Sequence, residues 1–283
     1  MFHSTGSTTH NTTTPGTVDG LSADAIWDNE GSFGSFLGTP IASNFFITSK
    51  HIGAAGTAIT FAGGANVGTY NTIASFDSPT LDLTIWQISG TFLSFVPLYT
   101  SSDEVGKNLL VIGRGTQRGA DYIGPDSVLR GWNWGAGDGV KRWGQNTVSA
   151  TNSSVIAADF STTGPNEAML SVGDSGGAVF IQDAGVWKLA GINQAVSGAF
   201  YSNTNTSGSG TQSAIFNEQN LFSSADNVTF AGPLATGSGL FVAARISSDQ
   251  AWIASVIPEP AVIWLILAAW VIVAVGRVAK RSA

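Results

Sequence analysis

Gly173-Asp174-Ser175-Gly176-Gly177 is the stretch on which the reading of this chain turns. Glycines on both sides of one serine let the backbone bend sharply, because glycine reaches conformations closed to other residues. In such a bend one hydroxyl projects while neighbouring N–H groups converge on a single point, where an oxyanion can be held. Ser175 is then a candidate nucleophile, with the amides of Gly173 and Ser175 as the candidate oxyanion hole. The bland alternative is a glycine-rich turn between two strands, so the rest of the chain must supply a base.

The same five residues satisfy G-x-S-x-G, the nucleophile elbow, which requires a histidine after the serine. No histidine follows Ser175; the chain has only His3, His10 and His51. His3 and His10 sit in a polar leader, leaving His51 as the candidate base. It follows Asn44-Phe45-Phe46-Ile47-Thr48-Ser49-Lys50, an aromatic and β-branched run that reads as a strand able to aim the imidazole. A third group must orient that imidazole and stabilise its cation. Asp82 lies in Thr80-Leu81-Asp82-Leu83-Thr84-Ile85-Trp86, a lone carboxylate in an apolar run, and a buried charge needs a partner. Asp77 is the weaker competitor in a turn-like setting, and Asp19, Asp24 and Asp28, which precede His51, have no comparable apolar surroundings.

Working outward, short apolar runs such as Leu109-Leu110-Val111-Ile112 and Ala178-Val179-Phe180-Ile181 recur between Gly, Asn, Asp and Pro clusters. That pattern predicts an all-β sandwich or barrel. Residues 1–20 read as a flexible polar leader, and 198–239, dominated by Ser, Gly, Asn and Thr, as a long surface loop. Ser247-Ser248-Asp249-Gln250 offers an N-cap ahead of Trp252, Ile253 and Val256, predicting a helix packed on the β body and stopped by Pro258.

At these residues the chain resembles the chymotrypsin/trypsin family of serine proteases. Thr48-Ser49-Lys50-His51, Leu81-Asp82-Leu83 and Gly173-Asp174-Ser175-Gly176-Gly177 stand in that family's His, Asp, Ser order. Gly185 to Ile192 resembles the strand after the nucleophile loop, and Ala244-Arg245-Ile246-Ser247 with Trp252-Ile253 its last strand and closing helix. The resemblance covers about residues 31–256. It implies two six-stranded antiparallel β-barrels, the first over about 21–100 and the second over about 105–246, with a closing helix at 247–256. The implied activity is endopeptidase chemistry through an acyl-enzyme, with a protein or peptide substrate and no cofactor.

The chain also departs from the family. Ser49-Lys50 replace small residues before the histidine, and Lys50 would lower the pKa of His51 if unsolvated. Gln194 or its neighbour stands where a serine often supports the catalytic acid. Met169 stands six residues before Ser175, where trypsin-like enzymes carry an acid, and Val196 and Phe241 narrow the same pocket. Met169, Gln194 and Val196 are thus the candidate substrate-binding residues, and a small or medium apolar side chain is the expected substrate. In many family members a newly cut N-terminus inserts beside the acid before the nucleophile, here Asp174; no clear Ile-Val-Gly-Gly precedes it.

Composition bounds the function. The net charge is −7, and setting aside Arg277, Lys280, Arg281 and Glu259 leaves nine basic against eighteen acidic residues in the body. Nucleic-acid binding needs a basic patch, so it is excluded as a function. With no cysteine and one usable histidine, neither a disulfide framework nor a typical zinc site is expected. Residues 257–283 carry Pro258-Glu259-Pro260, an uncharged apolar run over 261–276, and a basic end. This order resembles the PEP-CTERM sorting tails of Gram-negative bacteria, implying a single transmembrane helix, an exosortase-type sorting enzyme as partner, and an extracytoplasmic body anchored in the membrane or delivered to the cell surface or extracellular matrix. Residues 1–20 contain no apolar signal segment, so the reading favours a start upstream of Met1. The rival readings are a catalytically inactive protease-fold adhesion module, an esterase of the same fold, and for the tail a plain membrane anchor.

Overall fold

The computed structural model describes residues 1–3, 6–201, 210–225, 228–229 and 237–257. The tail features at 258–283, including the apolar run, lie outside these residues. Among the described residues no helix is long and apolar enough to cross a membrane.

Six strands close a barrel in the order Gly31–Phe33, Phe36–Ala42, Phe45–Thr48, Thr84–Ile88, Gly68–Asp77, Ala58–Phe61, with the last returning to the first. Its inside is aromatic. Phe33, Phe46, Ile59, Phe61, Ile88 and Phe92 form one buried cluster, with the Phe33 and Phe46 rings edge-on at 5.2 Å. Burying each of these large side chains contributes about 1.5–3 kcal/mol, enough to fix the register of short strands whose own propensity is weak.

The second lobe departs from the expected six-stranded barrel. It is a seven-stranded sheet in the order Arg142–Thr147, Asn108–Gly113, Ala178–Asp183, Val186–Val196, Leu240–Arg245, Val155–Asp159, Ala150–Thr151. Inward residues alternate as strands require: Leu109 and Val111, Ile156 and Ala158, Val179 and Ile181 all belong to one core. The ladder does not close. At the gap the Asn146 side chain donates to Asp159 O at 2.8 Å and Ala168 O at 3.1 Å, so a side-chain amide stands where a strand-to-strand ladder would run.

Two zones, 198–239 and 1–20, differ from the sequence reading. The stretch 114–137 forms a hairpin, Thr116–Ile123 with Leu129–Gly137, and Ser213–Ile215 adds a third strand. Ser213–Ile215 comes from the zone read as a loop, which also contributes Phe200, Leu221 and Ile215 to a buried cluster with Tyr122. The expected flexible leader is docked as well. Trp143 donates its indole N–H to Thr13 O at 3.1 Å, Arg142 donates to Thr8 O at 2.7 Å, and His10 shares a hydrogen bond with Asn166. Polar residues from the second lobe thus satisfy a leader that has few apolar groups of its own. Near the end of the described chain, the Ser247 hydroxyl donates to Glu104 Oε1 at 2.6 Å. The α-helix itself spans Gln250–Val256.

Candidate active site

Strand register brings the base and the acid together. Thr48 pairs with Thr84 across two antiparallel strands, so the residues just after Thr48 and just before Thr84 run side by side. Lys50 to Ile52 form one 3-10 turn there, and the Lys50 amide donates to Asp82 O. The Asp82 carboxylate accepts twice from His51: its Oδ1 from the main-chain N–H at 2.8 Å, its Oδ2 from Nδ1 at 2.6 Å. No other hydrogen bond reaches that carboxylate among the described residues. Asp77 is engaged elsewhere, accepting from Thr84 Oγ1.

Ser175 arrives from the second lobe, in the loop just before the Ala178–Asp183 strand, and its Oγ lies 2.8 Å from His51 Nε2. Two glycines make that loop possible. Gly173 has φ +89°, a region that disfavours side chains. Gly176 has φ +78°, and a Cβ there would stand 2.3 Å from Thr48 Oγ1. Neither the Gly173 nor the Ser175 amide donates to an acceptor among the described residues. Two free N–H groups beside the Ser175 hydroxyl are what an oxyanion hole requires.

Besides the Ser175–His51 bond, a first-lobe hydroxyl ties this loop down. Ser49 Oγ donates to Asn193 O at 2.7 Å and accepts from the Gly176 amide at 2.9 Å, with both Ser49 and Asn193 buried. The Asn193 side chain donates to Ile112 O and Asp174 O, tying the loop to the sheet. Asp174 points away from the site. Its carboxylate accepts from the Gly115 amide at 2.7 Å and the Ser171 amide at 2.8 Å, and lies 2.9 Å from the Met1 amine. Burial lowers the pKa of that amine, while the Asp174 charge opposes the shift.

The hydrogen bond to Asp82 raises the pKa of His51, burial partly opposes this, and the Asp82 charge adds to it. Lys50 does not act on the imidazole as anticipated: its ammonium donates to Ser78 O at 2.9 Å. Gln194 or its neighbour, read as standing where a serine often supports the acid, makes no hydrogen bond to the Asp82 carboxylate among the described residues; His51's own amide supplies the second bond.

A cavity of about 280 Å³ opens beside Ser175. Gln194 and Val196 line it, as does Trp134 from the added hairpin. Met169 does not: it is fully buried in the second-lobe core with Phe241. Leu170, Ser171 and Val172 form the wall where Met169 was expected. Sequence reasoning missed Ser49, Asn193 and Trp134. Asn193 carried a usable signal, being an amide directly after the buried run Leu189-Ala190-Gly191-Ile192, whereas Trp134 carried none.

No protein-family model matches this chain, and no curated protein does. Among solved structures it is similar to neuropsin, described as a serine protease expressed in the limbic system of mouse brain. The TM-score is 0.48 and the identity 13%, covering 80% of this chain and 92% of that one.

Proposed function

We propose that this chain is a serine endopeptidase that cleaves peptide bonds through an acyl-enzyme. One observation carries the reading: Asp82, His51 and Ser175 form a continuous hydrogen-bonded relay ending at a serine flanked by two undonated amides. In the first step Ser175 Oγ bonds to the substrate carbonyl carbon and its proton passes to His51 Nε2. The carbonyl oxygen becomes an oxyanion facing the Gly173 and Ser175 amides. The C–N bond then breaks, and His51 returns the proton to the leaving amine. Water, deprotonated by His51, releases the acid product. Asp82 holds the imidazole with its proton on Nδ1 and stabilises the cation. The sorting-type tail at 258–283 supports delivery of this enzyme to the outside of a Gram-negative cell, with the membrane and an exosortase-type enzyme as partners.

Labelling of the full chain with a fluorophosphonate tests the chemistry. One label per chain, abolished in Ser175→Ala and strongly reduced in His51→Ala, is expected. A folded chain that takes no label would make it a binding module of the same fold.

A further inference from the structure

The Asp82 carboxylate accepts from His51 alone among the described residues, so its direction is set by the loop that carries it. That loop is closed at its base, where the Ser78 amide donates to Leu83 O at 2.8 Å. The Ser78 side chain is fully buried. Its hydroxyl oxygen accepts from the Leu81 amide at 2.9 Å and the Thr80 amide at 3.2 Å. A hydroxyl has two lone pairs and one proton, so with both lone pairs engaged the proton needs an acceptor of its own. It goes to Asp249 Oδ2, from a residue 171 positions further along the chain. The Thr80 hydroxyl donates to Asp249 Oδ1 at 3.3 Å.

Asp249 is buried and makes no ion pair among the described residues, and a carboxylate without a counter-charge is costly to bury. Both of its oxygens are directed at hydroxyls of the loop that carries Asp82. A carboxylate can only accept, so Asp249 makes the Ser78 hydroxyl donate and leaves its lone pairs to the two amides. The base is tied to the same loop: Lys50, next to His51, donates its ammonium to Ser78 O and its amide to Asp82 O. Asp249 does not line the cavity beside Ser175.

We propose that Asp249 is a positioning residue for the reaction, fixing through the Ser78 hydroxyl the loop that aims the Asp82 carboxylate at His51. This rests on the endopeptidase reading. Removing the acceptor releases the Ser78 proton, for which Thr80 Oγ1 at 3.5 Å is a poor substitute. The hydroxyl turns, its bonds to the two amides loosen, and Asp82 shifts from Nδ1. The bond to Asp82 is what raises the pKa of His51, so a weaker bond lets it fall back toward 6.5. Asp82 is the charge that acts on the ring, Lys50 being turned to the Ser78 carbonyl.

The test is the rate of fluorophosphonate labelling of the full chain across pH, in the wild type, Asp249→Ala, Asp249→Asn and Ser78→Ala. Asp249→Ala should label roughly tenfold to a hundredfold more slowly per folded chain, since a small misplacement far from the chemistry costs that much. Its pH midpoint should move down toward 6.5. Loss of stability alone lowers the folded fraction and leaves the midpoint in place. Asparagine keeps an oxygen for the Ser78 proton and offers its NH2 to Thr80 Oγ1, so Asp249→Asn should recover most of the rate and the midpoint. Ser78→Ala should behave as Asp249→Ala does, and decides in its place where that variant does not fold. A folded variant with the wild-type midpoint, at whatever rate, overturns the proposal, as does Asp249→Asn no faster than Asp249→Ala. If neither alanine variant folds, the contact serves folding and the positioning role is overturned. A wild type that takes no label sinks the enzyme reading and this role with it, whereas a labelled wild type with unaffected variants sinks only the role of Asp249.

Discussion

Asp82→Asn is the substitution whose outcome the geometry determines most fully. The two carboxylate oxygens are not equivalent: Oδ1 faces the His51 main-chain N–H at 2.8 Å and Oδ2 faces Nδ1 at 2.6 Å. A main-chain N–H can only donate, so the asparagine must turn its oxygen toward it. Its NH2 then faces Nδ1, which must become an acceptor, and the ring proton moves to Nε2. That nitrogen lies 2.8 Å from Ser175 Oγ and can no longer take the serine proton. A wrong tautomer of this kind costs about 10⁴-fold in kcat, or about 5.5 kcal/mol of barrier. The pKa of His51 should fall as well, because the bond that raises it is gone. The assay is kcat/KM on a cleaved peptide across pH, beside urea unfolding to show that the variant stays folded. A folded Asp82→Asn enzyme keeping more than about a tenth of wild-type kcat would refute the tautomer argument.

In the wild type, the base must be neutral to accept a proton, and the pKa of His51 is raised above its ordinary 6.5. Peptide cleavage should therefore climb with pH through a midpoint above 6.5, and a midpoint lower than that would count against the Asp82 contact. Ser49→Ala deletes a buried hydroxyl that bonds both Asn193 and Gly176; a loss of about 1–2 kcal/mol in urea unfolding is expected, with slower fluorophosphonate labelling, and unaltered labelling would show that the nucleophile loop does not need the tie. Burial pushes the Glu30 carboxyl up to about 8, against bonds from Thr39 and the Ala178 amide and the nearby Lys141 charge. Between its ordinary 4.5 and about 8, folded Glu30 keeps a proton that the unfolded chain releases, so its contribution lowers stability as pH rises. Glu30→Gln should flatten that decline in the urea midpoint, and an unchanged slope would place the titration elsewhere.

The site was legible where chemistry restricts the residue type. A base had to be histidine, and the chain holds only one outside the leader. Ser175 stood out because a sharp backbone bend needs glycine, and Gly173 and Gly176 do hold positive φ. Asp82 could be found because a carboxylate in an apolar run demands a partner. The strands of the aromatic first barrel were equally open to reading, since Phe45–Thr48 and Thr84–Ile88 are short runs rich in aromatic and β-branched residues. Lys50 was misjudged for the opposite reason: nothing in a sequence says whether a long flexible ammonium will meet the imidazole or the Ser78 carbonyl.

What stayed hidden depends on partners far apart in the chain. The zone 198–239 looks unstructured because its apolar residues come in runs of no more than three between Ser, Gly, Asn and Thr. Yet Phe200, Ile215 and Leu221 need only Tyr122, contributed by a distant hairpin, to make a buried cluster. The leader is a similar case, its few side chains too polar to predict burial until Arg142, Trp143 and Asn166 supply the bonds. Pocket composition shifts for the same reason. Counting six residues back from Ser175 reaches Met169, but the tight turn at Ser171 and Asp174 sends that residue into the core and leaves Leu170 to Val172 on the wall. Trp134 could not be assigned to the cavity from its own neighbourhood at all. Its position follows from a hairpin register, and the hairpin in turn is completed by Ser213–Ile215, some eighty residues later. The candidate triad can therefore be read from residue types and order, whereas the walls of the cavity beside it are set by long-range pairing.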